Sequence, residues 1–217
     1  MADVLSSAQA IVAAELAQHP ERACFTCSFQ SEDVVVLDLL RAVYPRIPVL
    51  FLETGYHFKE TLEYRDRLTR EWDLNLVNLV GTRMTSPQEH GIQECCQARK
   101  VEPLLAGLAP YETWFTGLRR EQSPSRANLQ PVEQHSFPNG LTLRKVSPVY
   151  DWMWRDIEAY MAANDIPALP LYAQGYTSIG CEPCTAKPEA GEHARSGRWG
   201  GAKLECGLHT VSHKDGD

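Results

Sequence analysis

The chain has no apolar run near the ~18 residues that a membrane-spanning helix needs, so no transmembrane helix is expected. Its first residues lack a basic segment followed by an apolar core and so do not read as a secretory signal. Positive charge is scarce. Lys and Arg total 21 against 28 Asp and Glu, a formal net charge of -7, which argues against a general nucleic-acid binder but leaves room for a local basic pocket around a small anion. Internal repeats and low-complexity tracts are also missing. The turn at Ser28-Phe29-Gln30-Ser31-Glu32-Asp33 has neither the glycines nor the closing Gly-Lys-Ser/Thr of a nucleoside-triphosphate loop.

With 217 residues, 43% of them hydrophobic, the chain suits one α/β domain with a substantial core. Cysteine is not scarce. There are seven, an odd number, and Cys95 and Cys96 are adjacent. Together with the missing export signal, this favours a reducing cytoplasm with metal or redox thiols over extracellular disulfides.

Apolar positions at helical spacing predict a helix over residues 3–18, and residues 22–29 read as a strand. Ser31 is placed to cap the helix that follows, with Glu32 and Asp33 in its first turn. Further strands are expected at 49–52, 74–80, 111–115 and 141–146, and helices at 57–70, within 86–108 and over 150–162. Strands alternating with helices predict a mostly parallel sheet flanked by helices, with a ligand beyond the carboxyl ends of the strands. That gathers residues 28–33 and 53–55 into one crevice. Residues 122–140, broken by Pro124, Pro131 and Pro138, read as a flexible or substrate-covering loop. The composition divides the chain into an α/β domain, 1–185, and a mobile, poorly packed C-terminal tail, 186–217.

Two tight thiol clusters stand far apart in sequence: Cys95-Cys96 and the Cys-x-x-Cys of Cys181 and Cys184. Four thiolates of this kind suit an iron–sulfur cluster. A single zinc tolerates the adjacent pair less well, because neighbouring helical side chains diverge by roughly 100°. Unrelated thiols and a Cys181–Cys184 disulfide are the remaining readings. Cys24 and Cys27 also have Cys-x-x-Cys spacing, but in a strand residues three apart face opposite ways, so both read as packing residues. Cys206 stands alone in the tail, with Arg195 and Arg198 before it and His209 after it. Cationic surroundings make a better thiolate nucleophile, and a functionless tail cysteine fits the spacing equally well. In the crevice, Glu32 and Asp33 favour a monophosphate-sized charge over a polyphosphate. Arg119, Arg120 and Lys145 are the candidate countercharges.

Several motifs, in order, resemble the iron–sulfur branch of the phosphoadenylyl/adenylyl-sulfate reductase family, the assimilatory adenylyl-sulfate reductases. They are Cys27-Ser28-Phe29-Gln30-Ser31-Glu32-Asp33, Leu52-Glu53-Thr54-Gly55-Tyr56-His57-Phe58-Lys59-Glu60-Thr61, Cys95-Cys96 and Thr116-Gly117-Leu118-Arg119-Arg120-Glu121-Gln122-Ser123. Lys145-Val146-Ser147-Pro148, the run from Gln174 to Cys184, and Glu205-Cys206-Gly207-Leu208-His209 complete the set. Glu53 stands where the family more often has aspartate.

The resemblance implies an adenine nucleotide alpha-hydrolase-like fold with a modified pyrophosphate-binding loop at residues 28–33. It implies a [4Fe-4S] cluster on Cys95, Cys96, Cys181 and Cys184, and Cys206 as nucleophile. Ser28, Phe29, Glu53, Thr54, Gly55, Arg119, Arg120, Lys145, Arg195, Arg198 and His209 are the implied substrate residues, with Lys145 between cluster and substrate. The implied reaction turns adenylyl sulfate into sulfite and AMP through a thiosulfonate on Cys206, with thioredoxin or glutaredoxin as the electron donor. A reductase of the 3′-phosphorylated substrate, or of both substrates, is the nearest rival. A non-enzymatic iron–sulfur sensor is the other. The sequence leaves open whether the chain is a homo-oligomer.

Overall fold

Short, uninterrupted apolar runs form the sheet because both of its faces are covered. The computed structural model describes residues 2–17, 19–189 and 191–201. Helix α1 (Ala2–Leu16) precedes β1 (Ala23–Thr26), α2 (Ser31–Val43), β2 (Pro48–Glu53), α3 (Lys59–Glu71) and β3 (Asn75–Val80). Then come α4 (Pro87–Cys96), a π-helical turn over Gln97–Val101, α5 (Glu102–Leu108), β4 (Thr113–Phe115), β5 (Val132–Ser136), β6 (Thr142–Val146) and α6 (Trp154–Ala163).

The six strands lie in the order β3-β2-β1-β4-β6-β5. All neighbours are parallel except β5 and β6. One face carries the larger apolar core, with Phe25, Phe29, Val35 and Phe51 under α1, α2 and α6. The other carries a smaller core around Cys24, Leu50, Leu104, Leu108 and Trp114. Cys24 and Cys27 therefore fall on opposite faces, as strand geometry requires.

The order turns about β1, so the exits of β2 and β4 flank the exit of β1, the arrangement in which open α/β sheets form a ligand crevice. One expectation needs correction. The segment 122–140 is not loop throughout, because it contains β5. Its prolines flank that strand, and an edge strand tolerates them.

Candidate active site

The β1–α2 turn is built around a carboxylate of the chain itself. Phe29 takes a left-handed conformation (φ 60°) and turns its ring into the core, edge-on to Phe51 at 5.8 Å. Ser28 donates from both its backbone N and Oγ to Asp33 Oδ2, each at 2.6 Å, and the Gly117 N–H donates to the same carboxylate. A Cβ at Gly117 would lie 2.1 Å from Asp33 Oδ1, so this glycine is required by close approach. Burial pushes the Asp33 carboxyl up to about 6, against the pull of the Ser28 bonds. Donors that would face phosphate in a triphosphate loop are thus already turned onto Asp33. The expected cap also differs. Gln30, not Ser31, is the N-cap residue of α2, and the Ser31 N–H donates to Tyr172 Oη at 3.3 Å.

Beyond the strand ends lies a cavity of about 730 Å³. Of the residues read as substrate-binding, Ser28, Thr54, Arg119, Arg195 and Arg198 line it. Phe29, Glu53, Gly55, Arg120 and Lys145 do not. Phe29 is in the core. Glu53 is 2.8 Å from Arg65 and accepts the Gly55 N–H at 3.0 Å, which fixes the turn where Gly55 has φ 74°. Arg120 donates to the Leu129 carbonyl at 2.8 Å and lies over Tyr150 at 4.7 Å. Lys145, only 2% exposed, pairs with Glu133 at 3.2 Å. Glu133 is its register partner on β5, the strand that was not anticipated.

Arg119 faces the cavity but is 3% exposed and largely committed. It lies 2.9 Å from Glu32 and 2.5 Å from Glu121, and it donates to the Trp152 carbonyl at 3.0 Å. Cys206 and His209 lie outside the described residues.

A second, smaller cavity is lined by Cys95, Cys96, Cys181 and Cys184 together with Thr54, Tyr56, Arg99 and Lys100. Local structure explains the convergence. Gly91 (φ 78°) breaks α4, and the adjacent cysteines fall on the last turn before the helix widens into its π-helical turn, a distortion found mostly at functional sites. The Cys181 loop docks onto the β2 exit: Glu182 N–H donates to the Tyr56 carbonyl at 2.7 Å, Cys181 bridges His57, and Thr54 Oγ1 lies 3.3 Å from Cys181 Sγ. Arg99 ties the cysteine helix to the same place, through the Thr54 carbonyl at 2.8 Å and the Thr85 carbonyl at 2.5 Å.

The donor set of this cavity is four thiols with two cations and no carboxylate, which fits an anionic thiolate-ligated iron–sulfur centre. Among the described residues no three His, Cys, Asp or Glu converge as a single-ion site.

Lys100, Thr54 and Trp199 line both cavities and form their shared wall. Lys145 lines neither cavity, whereas Lys100 stands in the wall between them. Its signal was available, because it follows Cys96 by one helical turn and so shares that face.

Residues 191–201 run back across the crevice, with Arg198 and Trp199 buried and Gly191 to Ala194 exposed. Thr185 bridges Arg198, Ala186 N–H donates to the Gly197 carbonyl at 2.7 Å, and Thr177 Oγ1 donates to the Ala194 carbonyl at 2.6 Å. Arg198 is 6% exposed and lies over Trp199 at 4.5 Å. A Cβ at Gly180 would be 2.0 Å from its guanidinium. The strap thus carries Arg195 and Arg198 to the crevice directly from the Cys181–Cys184 turn.

Comparison with known proteins agrees with this architecture. The chain is 43% identical over 198 residues to the adenosine 5'-phosphosulfate reductase of Mycobacterium tuberculosis, an alignment covering 85% of this chain and 77% of that protein. The corresponding protein of Mycolicibacterium smegmatis is 42% identical over 188 residues, covering 82% and 78%. Among solved structures, phosphoadenylyl-sulfate reductase from Candida auris aligns with a TM-score of 0.71 at 22% identity, over 83% of this chain and 90% of that one. FMN adenylyltransferase from Candida glabrata aligns at 0.68 with 16% identity, over 86% and 65%. These likenesses establish an adenine nucleotide alpha-hydrolase-like fold. Residues 22–187 match the phosphoadenosine phosphosulfate reductase domain, and on that match and the mycobacterial identities the chain belongs to the phosphoadenosine phosphosulfate reductase family.

Proposed function

We propose that this protein reduces adenylyl sulfate to sulfite and AMP with electrons from a thioredoxin-like dithiol, in the cytoplasm, as a step of sulfate assimilation. The observation that carries the reading is the wall shared by the nucleotide-sized crevice and the four-cysteine cavity, with Lys100 in it. The names of the mycobacterial relatives support adenylyl sulfate as substrate.

In this reading the phosphosulfate lies against Lys100, Arg195 and Arg198, whose charge offsets the negative charge developing on the departing AMP. The Cys206 thiolate attacks the sulfate sulfur. Its S–S bond forms as the sulfur–oxygen bond to the phosphate breaks, leaving a thiosulfonate on Cys206 and releasing AMP. One thiolate of the donor then attacks the Cys206 sulfur and expels sulfite. The donor's second thiol resolves the mixed disulfide, so the dithiol supplies both electrons. His209, three residues after Cys206, assists at the same thiol.

Cys95, Cys96, Cys181 and Cys184 would hold a [4Fe-4S] cluster. Bound there, it supplies structural cohesion and an electrostatic environment. Arg99 ties the cysteine helix to the Thr54 carbonyl, and Lys100 presents a cation to the crevice. Ser28, Thr54 and the backbone turns at Phe29 and Gly55 shape the nucleotide site. Glu53 supports it through Arg65. Arg119, Arg120 and Lys145 act indirectly, through the ion pairs and hydrogen bonds that hold the strand exits.

Anaerobic assay of sulfite release with thioredoxin and its reductase tests the proposal. Turnover of adenylyl sulfate is expected, and a Cys206→Ser variant should lose it while keeping full iron content. A wild-type protein with complete iron but no sulfite release would favour the sensor reading.

A further inference from the structure

Where the turn after β1 meets the loop before Cys181, one uncharged side chain joins them. Gln30, the N-cap residue of α2, lines the crevice, and its partners fix the orientation of its amide. The Ile179 N–H only donates, so it meets Oε1, at 2.8 Å. The Ser28 hydroxyl already donates to Asp33, so it accepts from Nε2 at 3.1 Å. Ile179 is 4% exposed, and its N–H is a buried donor that is costly to leave unpaired. The residues on either side of Ile179 hold Arg198. Ser178 Oγ accepts from Arg198 Nη1 at 3.4 Å, and a Cβ at Gly180 would come within 2.0 Å of the guanidinium. Arg198 also lines the crevice, so a shift of Ile179 moves both of these contacts and the cation with them.

We infer that Gln30 is a positioning residue for anion binding: by tying the Ile179 backbone to the β1–α2 turn, it holds Arg198 where the 5′-phosphate of a nucleotide is seated. The inference rests on the proposed function, which places the phosphosulfate against Arg198. Guanidinium–phosphate bonding is directional, so a displaced Arg198 loses phosphate affinity while the nucleoside keeps its own contacts. Gln30 is neutral and acts through the arginine rather than by its own charge. A carboxylate would not replace the amide, because it would stand beside Asp33 across the same Ser28 hydroxyl.

Equilibrium binding of AMP and of adenosine to the intact, iron-loaded protein tests this without relying on turnover. The wild type should bind AMP at least tenfold more tightly than adenosine. Gln30→Met, similar in size but without the amide, should cut that AMP-to-adenosine ratio at least fivefold. Adenosine affinity should stay within about twofold of wild type, and iron per chain should be unchanged. Arg198→Met should lower the ratio by itself, and adding Gln30→Met to it should change the ratio less than twofold, because the two residues act as one unit. Additive losses would mean that Gln30 contacts the phosphate itself and would overturn the inference. So would an unchanged ratio in folded Gln30→Met, equal losses of both ligands, or loss of iron alongside AMP affinity. Gln30→Asn, whose amide is one carbon too short to reach Ile179, gives the same test if the methionine variant does not fold. If Arg198→Met does not fold, the ratio in the Gln30 variant decides. Tight AMP binding with an unchanged ratio defeats the role of Gln30 alone, whereas a wild type that binds AMP no better than adenosine defeats the phosphate seat of the proposed function as well.

Discussion

Asp33 and Gly117 show how single residues set the shape of the crevice. The Asp33 carboxylate gathers Ser28 and the Gly117 backbone, joining the exits of β1 and β4. Gly117→Ala would drive a methyl group into that carboxylate and the backbone behind it. We expect a loss of about 1–3 kcal/mol, as for other overpacked sites, and weaker AMP binding, read by thermal melting and titration. Asp33 also makes a pH prediction. Its carboxyl, raised to about 6 from 3.8, binds a proton more tightly in the folded chain than in the unfolded one. The stability this confers is present below about pH 4 and is lost as pH rises towards 6. Asp33→Asn should remove that slope. Melting curves of wild type and variant across pH 4–7 should therefore converge towards low pH and separate above it, with the variant the relatively more stable. Parallel curves would show that Asp33 is not the titrating group.

At the scale of elements, the cysteine site depends on two segments with unusual backbone: a helix that ends in a π-helical turn, and a turn hydrogen-bonded to the β2 exit. Neither cysteine pair can assemble the site alone. Replacing Cys96 or Cys184 with serine should therefore lose most of the bound iron and the associated visible absorbance, measured as iron per chain. Full iron retention would remove that residue from the ligand set.

Much of this level was legible in the sequence. The alternation of apolar runs and helical periodicity located five of the six strands, and the spacing of the four thiols singled out the residues that line one cavity. What stayed hidden depended on contacts between distant segments. The strand β5 is polar and flanked by proline, so its signal lies in its pairing with β6 rather than in its own residues. That pairing also sets Glu133 beside Lys145. Arg119 looked like an anion binder because charge is visible in sequence, whereas its commitment to Glu32 and Glu121 is not.

For the whole molecule, the two cavities share a wall, so the cysteine site and the nucleotide site are mechanically one assembly. The strap continues from the Cys181 turn through Arg195 and Arg198, and Gly180 is the point where loop and guanidinium touch. Gly180→Ala should dislodge Arg198 and lower AMP affinity several-fold, while iron content falls less than in the cysteine variants. Equal loss of both would mean that the substitution disrupts the Cys181 loop itself. Among the described residues no helix is long and apolar enough to cross a membrane.

The central claim is that Cys206 carries the sulfonate. Its most direct test is the intact mass of the protein after anaerobic incubation with adenylyl sulfate and no reductant. The account predicts a gain of one SO₃, absent from Cys206→Ser and removed by reduced thioredoxin with release of sulfite. Unchanged mass in a protein with intact iron and bound nucleotide would contradict it.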